Sequence, residues 1–594
     1  MKFKSAFPLT YIFKAISIVY HSSPKWTYIN TFVTIIRGII PLALLYIVKL
    51  LIDVVDDYIK NKPIEDTTLY ITIGLAGLFF LLNAFTGSIN SLVRERQAHF
   101  VNDYIQNLIH KKTVNIPFGY FEDANYQNIF YRALNEATFR PGRIFYSILQ
   151  VFQNLLTLAL FLVVLTQLHW VMIPILIIAG LPIVFFRIHY SKKLYKYRKE
   201  HTEDERKMHY FNRLLTAKDF AKELRIFDLS SLYKSEYECT KLKLREKQWK
   251  LAKTKTFWEA SVQILSTFVL LSIIGFVLKE AVNGTISNGS MAMYFLALQK
   301  GHGVLQTFIG SLTSLYEDNL FLKNFFDFQK IKTPENQTKT EQFPHPIKEG
   351  IHLNNLHFKY PNTKKWVLKN INLTIPKGKT VALVGKNGCG KTTLVKLLAG
   401  LYTPSKGSIK VDKANWHNIS TTELSNNISI IFQDFMLYNV TAQDNIRYGN
   451  TRRDQNIEDI KIAAEKAGVD HLFSNLKNGY DTTLGTLFKN SKMLSRGEWQ
   501  RTALARSFYN TNAQLIILDE PTSSLDAFTE ANLITHFKEI TKDKTAVIVS
   551  HRLSTIKLAD IIIVISDAGV AEMGSPDELM TKKGAYYEMI QSLK

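Results

Sequence analysis

The chain has 594 residues, a formal net charge of +22 and 46% hydrophobic residues, more than one core can organise, so at least two domains are expected. Its two cysteines, Cys239 and Cys389, argue against a disulfide framework, and no metal-ligand spacing exists. The positive charge raises nucleic acid as a partner, but Lys and Arg cluster between apolar runs, as at 192–206 and 241–255, which fits the loops of a membrane protein better.

The N-terminus is basic and aromatic. Lys14 interrupts its apolar stretch and no small-residue cleavage site follows, so it reads as an amphipathic helix on the inner membrane surface rather than a signal peptide. Six segments then approach the roughly 20 apolar residues that a bilayer requires. They are 28–51, 69–88, 144–165, 170–186, 258–278 and 291–312, the fourth short and carrying Pro174 and Pro182. The connector 53–68 is short and acidic, with Asp53, Asp56, Asp57, Glu65 and Asp66, and reads as outside, as do 166–169 and 283–290. Connectors 92–143 and 188–257 are basic and read as inside. Their length and helical pattern predict membrane helices that continue past the bilayer and turn back. The turning points are Phe118-Gly119-Tyr120-Phe121-Glu122-Asp123 and Lys222-Glu223-Leu224-Arg225-Ile226-Phe227, for which a solvated helix face is the plainer reading. Arg37, Glu259, Gln263, Lys300 and His302 fall within or beside spans, where charge is costly unless it pairs, faces water or snorkels to the interface.

From 325 to 350 the pattern breaks, with Pro334, Pro344 and Pro346 marking a linker. Beyond it, strand-like runs alternate with helical ones, the sign of an α/β domain with a largely parallel sheet. The apolar run 380–384 leads into Gly385-Lys386-Asn387-Gly388-Cys389-Gly390-Lys391-Thr392 and then into a helical pattern. A strand, a glycine-rich turn and a helix N-terminus form an anion site in which backbone N–H groups meet phosphate oxygens. Lys391 is placed to reach the β/γ oxygens and the Thr392 hydroxyl to ligate Mg²⁺. Downstream, 515–518 is a buried-strand pattern ending in Asp519 and Glu520. Asp519 is a candidate for the Mg²⁺ shell and Glu520 for polarising an attacking water.

With these motifs in hand, residues of about 350–590 resemble the ATP-binding domain of ABC transporters, and the whole chain resembles an exporter-type half-transporter. The resemblance implies an all-α six-helix transmembrane domain at 1–325, a linker at 326–349 and an α/β P-loop ATPase domain at 350–594. It implies that the turning points at 118–123 and 222–227 are coupling helices, that Gly385, Asn387, Gly388, Cys389, Gly390, Lys391, Thr392 and Thr393 cradle ATP, and that Tyr360, in Phe358-Lys359-Tyr360-Pro361, stacks on adenine. Gln433 matches the glutamine that touches Mg²⁺ beside Thr392 and Asp519, and His551 the histidine that contacts the γ-phosphate near Glu520. Ser495 and Gly497 match the signature, and Asp526, in Ser523-Ser524-Leu525-Asp526, a loop that faces a dimer partner. Two positions depart from the family pattern: Arg496 stands where a glycine is usual and Glu498 where a glutamine is usual.

The expected activity is ATP hydrolysis driving export of a lipid, peptide or amphipathic small molecule by a dimer, either of this chain with itself or with a related half-transporter. The expected location is a membrane, bacterial plasma membrane by preference, with membrane lipids as neighbours and no nucleic acid. An ATP-gated or regulatory membrane subunit is the rival reading. A soluble nucleic-acid ATPase conflicts with the six spans, and importers usually keep spans and ATPase on separate chains.

Overall fold

The computed structural model describes residues 9–593 except 61–65, 138, 168, 170–171, 334–340, 362, 524 and 567–568. Glu65, Trp170, Pro334 and Ser524 therefore lie outside the described residues. The chain forms two units, Met1–Ile116 with Ala124–Lys332, and Pro117–Asp123 with Thr333–Lys594.

The first unit is helical: α1 (Leu9–Ser22), α2 (Pro24–Ile59), α3 (Asp66–Val114), α4 (Ala124–Ala137), α5 (Arg140–Thr166), α6 (Met172–Glu200), α7 (Thr202–Thr216), α8 (Ala221–Ile226), α9 (Ser230–Val282) and α10 (Asn288–Gln329). α1 is amphipathic: Ile12, Ala15 and Val19 are buried along one face while Phe13 and Tyr20 remain exposed. α2 opens at Pro24, where the missing N–H costs nothing because first-turn donors have no intrahelical partner. α3 has 49 residues and α9 has 53. At about 1.5 Å per residue they are roughly 75 and 80 Å long, well over twice the thickness of a hydrocarbon core. Each is apolar over one part and rich in Lys and Arg over the other, so both leave the bilayer as continuous helices. The chain then reverses through the short turns Phe118–Tyr120 and Lys218–Phe220, the second followed at once by α8.

Among the described residues, α2, α3, α5 and α9 contain stretches long and apolar enough to cross a membrane. The other two predicted segments lie on α6 and α10. The fourth is partly outside the described residues, and in the sixth Gln299, Lys300, His302 and Gln306 dilute the apolar run. The intramembrane polar groups are partly accounted for by pairs. Glu259 meets Arg187 at 3.0 Å and His302 meets Ser266 at 2.7 Å, each tying α9 to a neighbouring helix.

The second unit contains β1 (Gly350–Phe358), β2 (Leu368–Pro376), β3 (Thr380–Val384), β4 (Lys406–Val411), β5 (Ala414–Asn415), β6 (Ile428–Ile431), β7 (Leu515–Asp519), β8 (Thr545–Val549), β9 (Ile561–Ser566) and β10 (Gly569–Gly574). Six of them form one sheet in the order β10-β9-β3-β8-β7-β6, parallel except for the β9–β10 hairpin. Every residue of β3, β7 and β8 is buried, which is why their sequences are continuous apolar runs rather than alternating ones. This is the largely parallel sheet that the sequence pattern predicts. A second, antiparallel sheet of order β2-β1-β4-β5 stands beside it. Register shifts within β1, with Asn355 in the left-handed region, break the alternation that would have marked β1 as an antiparallel strand. The helix α11 (Lys391–Leu398) follows β3, and its Leu394, Val395, Leu397 and Leu398 are buried in the core shared by the two sheets.

Candidate functional site

Parallel strands bring their carboxyl ends to one edge, where a ligand crevice forms. Here Leu383 of β3 and Asp519 of β7 both pair with Val549 of β8, and Ile431 of β6 pairs with Leu518. This register gathers the loops carrying Gly385–Thr392, Glu520, His551 and Gln433 at one sheet edge.

The glycine-rich turn has backbone that other residues would strain. Gly385 has φ 148°, and a Cβ there would lie 2.2 Å from the carbonyl oxygen of Ile565. Gly388, with φ 83°, faces open space, so the main chain is bare on the side where a ligand would lie. The Lys391 ammonium is buried and donates to the Gly385 carbonyl at 2.7 Å and the Lys386 carbonyl at 3.0 Å, which curls the turn around it. Cys389 packs inward beneath the turn as a buried free thiol whose sulfur accepts from the Lys391 ammonium at 4.0 Å.

Asp519 ends β7 fully buried, and among the described residues neither carboxylate oxygen has a hydrogen-bond partner. Burial pushes its carboxyl up to about 6, and the charges of Glu520 and Asp434 add to that; Lys391 and the Thr392 hydroxyl pull it back only in part. A buried acid of this kind, beside the Thr392 hydroxyl, suits a small hard cation with oxygen ligands, so these residues fit Mg²⁺.

Glu520 has φ 49°, a left-handed conformation that costs energy in any residue other than glycine. It is held there because its N–H donates to the Val549 carbonyl at 2.9 Å and its carbonyl accepts from Gln500 at 3.2 Å. The twist turns the carboxylate out of the sheet. One oxygen accepts from Gln433 Nε2 at 2.9 Å, and the other lies 3.7 Å from His551 Nε2. Partial burial and the nearby Lys391 charge push the His551 imidazole down, against the opposing pull of Glu520, so it is neutral near pH 7.

Tyr360, in the loop after β1, donates or accepts a 2.9 Å hydrogen bond with the Thr393 hydroxyl, and its ring meets Phe358 and Tyr402 edge-on. The remaining predicted residues stand apart from this cluster. Ser495 is the N-cap of the helix Arg496–Tyr509; its N–H donates to Glu498 at 2.7 Å and its hydroxyl accepts from the Glu498 N–H at 3.3 Å. Glu498, one of the two departures from the family pattern, thus closes a capping box. Arg496 is the exposed first residue of that helix and Gly497 its half-buried second. Asp526 caps the helix Ala527–Thr541 through the Thr529 N–H at 2.9 Å.

The sequence reading passed over three participants. Gln500, almost fully buried, braces the Glu520 carbonyl. Lys396 pairs with Glu122 at 3.1 Å, and its ammonium lies 5.5–6.0 Å from the ring centres of Phe118, Tyr360 and Tyr402. The Tyr402 phenol donates to the other Glu122 oxygen at 2.6 Å, and burial together with that carboxylate raises its pKa. The aromatic and acidic block at 118–123 was visible in the sequence; its pairing across more than 250 residues was not.

Comparison with known proteins agrees with this geometry. Residues 27–300 match the ABC transporter transmembrane region and residues 368–523 the ABC transporter family. The subtilin transport ATP-binding protein SpaT of Bacillus subtilis is 29% identical over 562 residues, 94% of this chain and 90% of that one. An ATP-dependent lipid A-core flippase of Blochmanniella floridana is 31% identical over 368 residues, 62% of each chain. Among solved structures, that of a bacterial Atm1-family ABC exporter with ATP bound shares the fold, with a TM-score of 0.79, 20% identity and coverage of 96% of this chain and 98% of that chain. A membrane region and an ATPase domain fused in one polypeptide, with these relatives, place the chain in the ABC transporter family as an ATP-driven exporter.

Proposed function

We propose that the chain works as a homodimer in a bacterial plasma membrane, its ATPase unit in the cytoplasm, and exports a lipid, peptide or amphipathic small molecule. The observation that carries the catalytic part is the Glu520 carboxylate, flanked by Gln433 and His551 next to the orphaned Asp519. Lys391 and the bare backbone of Gly385, Asn387, Gly388, Cys389 and Gly390 hold the triphosphate, with Thr392 and Thr393 at its end of α11, while Tyr360 takes the adenine. Thr392, Asp519 and Gln433 would hold Mg²⁺, which would supply positive charge beside the phosphates. Glu520 accepts the proton of the attacking water, and neutral His551 orients on the γ-phosphate. Ser495, Gly497 and Asp526 complete the site opposite, on the second copy. Because they stand apart from Lys391 in one chain, ATP binds the closed pair more tightly than the open one. That difference shifts the membrane helices between their two arrangements.

The test is ATP hydrolysis by the chain purified alone in lipid nanodiscs, screened against lipid and peptide panels. Hydrolysis that one class stimulates identifies the cargo. Tight ATP binding with no hydrolysis under any addition would favour the gated-subunit reading instead. Cysteine labelling at Tyr120 and Asp228, in a background lacking Cys239 and Cys389, tests orientation; labelling of either from outside intact cells would overturn it.

A further inference from the structure

In the first unit, α1, α2, α3 and α5 enclose a cavity of about 440 Å³ to which Arg94 and His99 of α3 and Arg143 and Tyr146 of α5 contribute. Among the described residues, no Asp or Glu lines it. Its floor is neutral and already satisfied: buried Asn30 donates to Gln97 at 2.7 Å, and Gln97 donates to Thr27 at 3.1 Å. The arginines above are not satisfied in the same way. The Arg94 guanidinium carbon sits over the Tyr146 ring, 3.5 Å from its centre, and no carboxylate among the described residues pairs with it. Arg143 Nε lies 3.2 Å from Asp318, a carboxylate that also pairs with Arg140, while Glu317 adds a looser 3.9 Å contact to Arg140 alone. The Arg143 side chain stays 43% exposed, with the rest of its fork unspent.

The level of the cavity narrows its ligand. Arg94 comes about 9 Å along α3 after the apolar run that ends at Ser88. Arg143 immediately precedes the apolar run that starts at Ile144. Both therefore sit where hydrocarbon gives way to head groups, beside α1, whose exposed Phe13 and Tyr20 suit a helix lying in that layer. Two forked donors, one held over an aromatic ring, in a pocket with no acidic residue among its described lining match a phosphate monoanion or diester.

We propose that this cavity binds the phosphate of an anionic lipid drawn from the leaflet along which α1 lies, and holds it as a resident rather than as cargo. It rests on the proposed orientation only for which leaflet that is. Lipid is favoured over a soluble anion because the site opens at bilayer level, where acyl chains add their own burial and local concentration is high.

The experiment uses the full chain as wild type, Arg94→Gln and Arg94→Lys, exchanged into detergent with phosphatidylglycerol, phosphatidylcholine or inorganic phosphate. Bound lipid is counted by native mass spectrometry and stability is followed by thermal unfolding. Wild type should retain phosphatidylglycerol and gain thermal stability from it but not from phosphatidylcholine. Arg94→Gln should retain about fivefold less, as expected for one interfacial arginine, with Arg94→Lys in between. ATP hydrolysis in phosphatidylcholine nanodiscs should be the same in all three, which separates this result from failure of the ATP site. Equal retention and equal stabilisation in wild type and Arg94→Gln would overturn the proposal. So would full stabilisation by inorganic phosphate alone, which would make the cavity a free-anion site. If Arg94→Gln does not fold, Arg94→Lys, which keeps the charge and loses the fork, carries the comparison alone.

Discussion

The two halves of the nucleotide site differ in how far one chain completes them. On the phosphate side, strand register puts Glu520 between Gln433 and His551 and leaves Asp519 buried without a partner among the described residues, so the machinery is set before any ligand arrives. On the signature side, Ser495 and Glu498 satisfy one another in a capping box at an exposed helix tip, and nothing of the phosphate side shares in their bonds. The first half is fixed by long-range sheet pairing and the second by a purely local motif. Substitutions in the first should therefore act through the chain itself, and those in the second through whatever chain faces it.

The largest effect is expected on the phosphate side. Glu520→Gln keeps the hydrogen bonding to Gln433 but cannot accept a proton, so turnover should fall by about 10³-fold, within the usual range for a lost general base. ATP should remain bound, whereas Lys391→Ala should weaken binding itself. Steady-state hydrolysis beside equilibrium nucleotide binding distinguishes the two, and near-normal turnover in Glu520→Gln would remove it from the role of base.

A tenfold effect is expected from acid. Because the Asp519 carboxyl titrates near 6, a proton competes with Mg²⁺ as pH falls through that value, and MgATP affinity should drop about tenfold per pH unit below it. The stability of the empty chain runs the other way. A folded pKa above the unfolded one favours folding below about pH 4, an advantage lost as pH rises through 6. Asp519→Asn should thus stabilise the nucleotide-free chain at pH 7, on the order of 2 kcal/mol, while abolishing Mg²⁺-dependent binding. Thermal unfolding at pH 5 and 7, with and without MgATP, reads both signs.

What the sequence could and could not display follows the same division. The turn at Gly385–Thr392, the carboxylates after β7 and His551 after β8 were legible because each is a local pattern: an apolar strand and the residues just past its end. The helical unit was legible through apolar length and charge placement, although polar residues blur the sixth segment on α10. The antiparallel sheet was not, since β1 loses its alternation at a bulge. Nor was Glu122 at Tyr402 and Lys396, or Gln500 beneath Glu520, because such partners are joined only by the folded topology.

Tyr402→Phe probes one of those unforeseen pairs. It removes the phenol that donates to Glu122 but leaves the Lys396 pair and the ring contacts in place. Losing one net hydrogen bond of about 1 kcal/mol should speed amide exchange in Pro117–Asp123 about fivefold, with hydrolysis little changed. Unaltered exchange would mean that the aromatic rings and Lys396 alone hold this segment.

The smallest effect is expected at Arg496, where the signature side breaks from its family. As first residue of its helix it places a positive charge at the positive end of the dipole, a cost of about 0.3–1 kcal/mol that Glu498 two residues on offsets. Arg496→Gly removes that cost but adds the backbone freedom of glycine, so stability should shift by less than about 0.5 kcal/mol. The side chain starts at an exposed helix tip, with Ser495 and Gly497 intact beside it, and its charge is attractive to a triphosphate arriving on a partner. The chain purified alone should therefore hydrolyse ATP, and Arg496→Gly should stay within about twofold of it, with slightly weaker ATP affinity at low salt. Negligible hydrolysis by the chain alone, restored many-fold by glycine, would mean that the bulk of arginine holds the partner's phosphate away, and that a different half-transporter stands opposite this one.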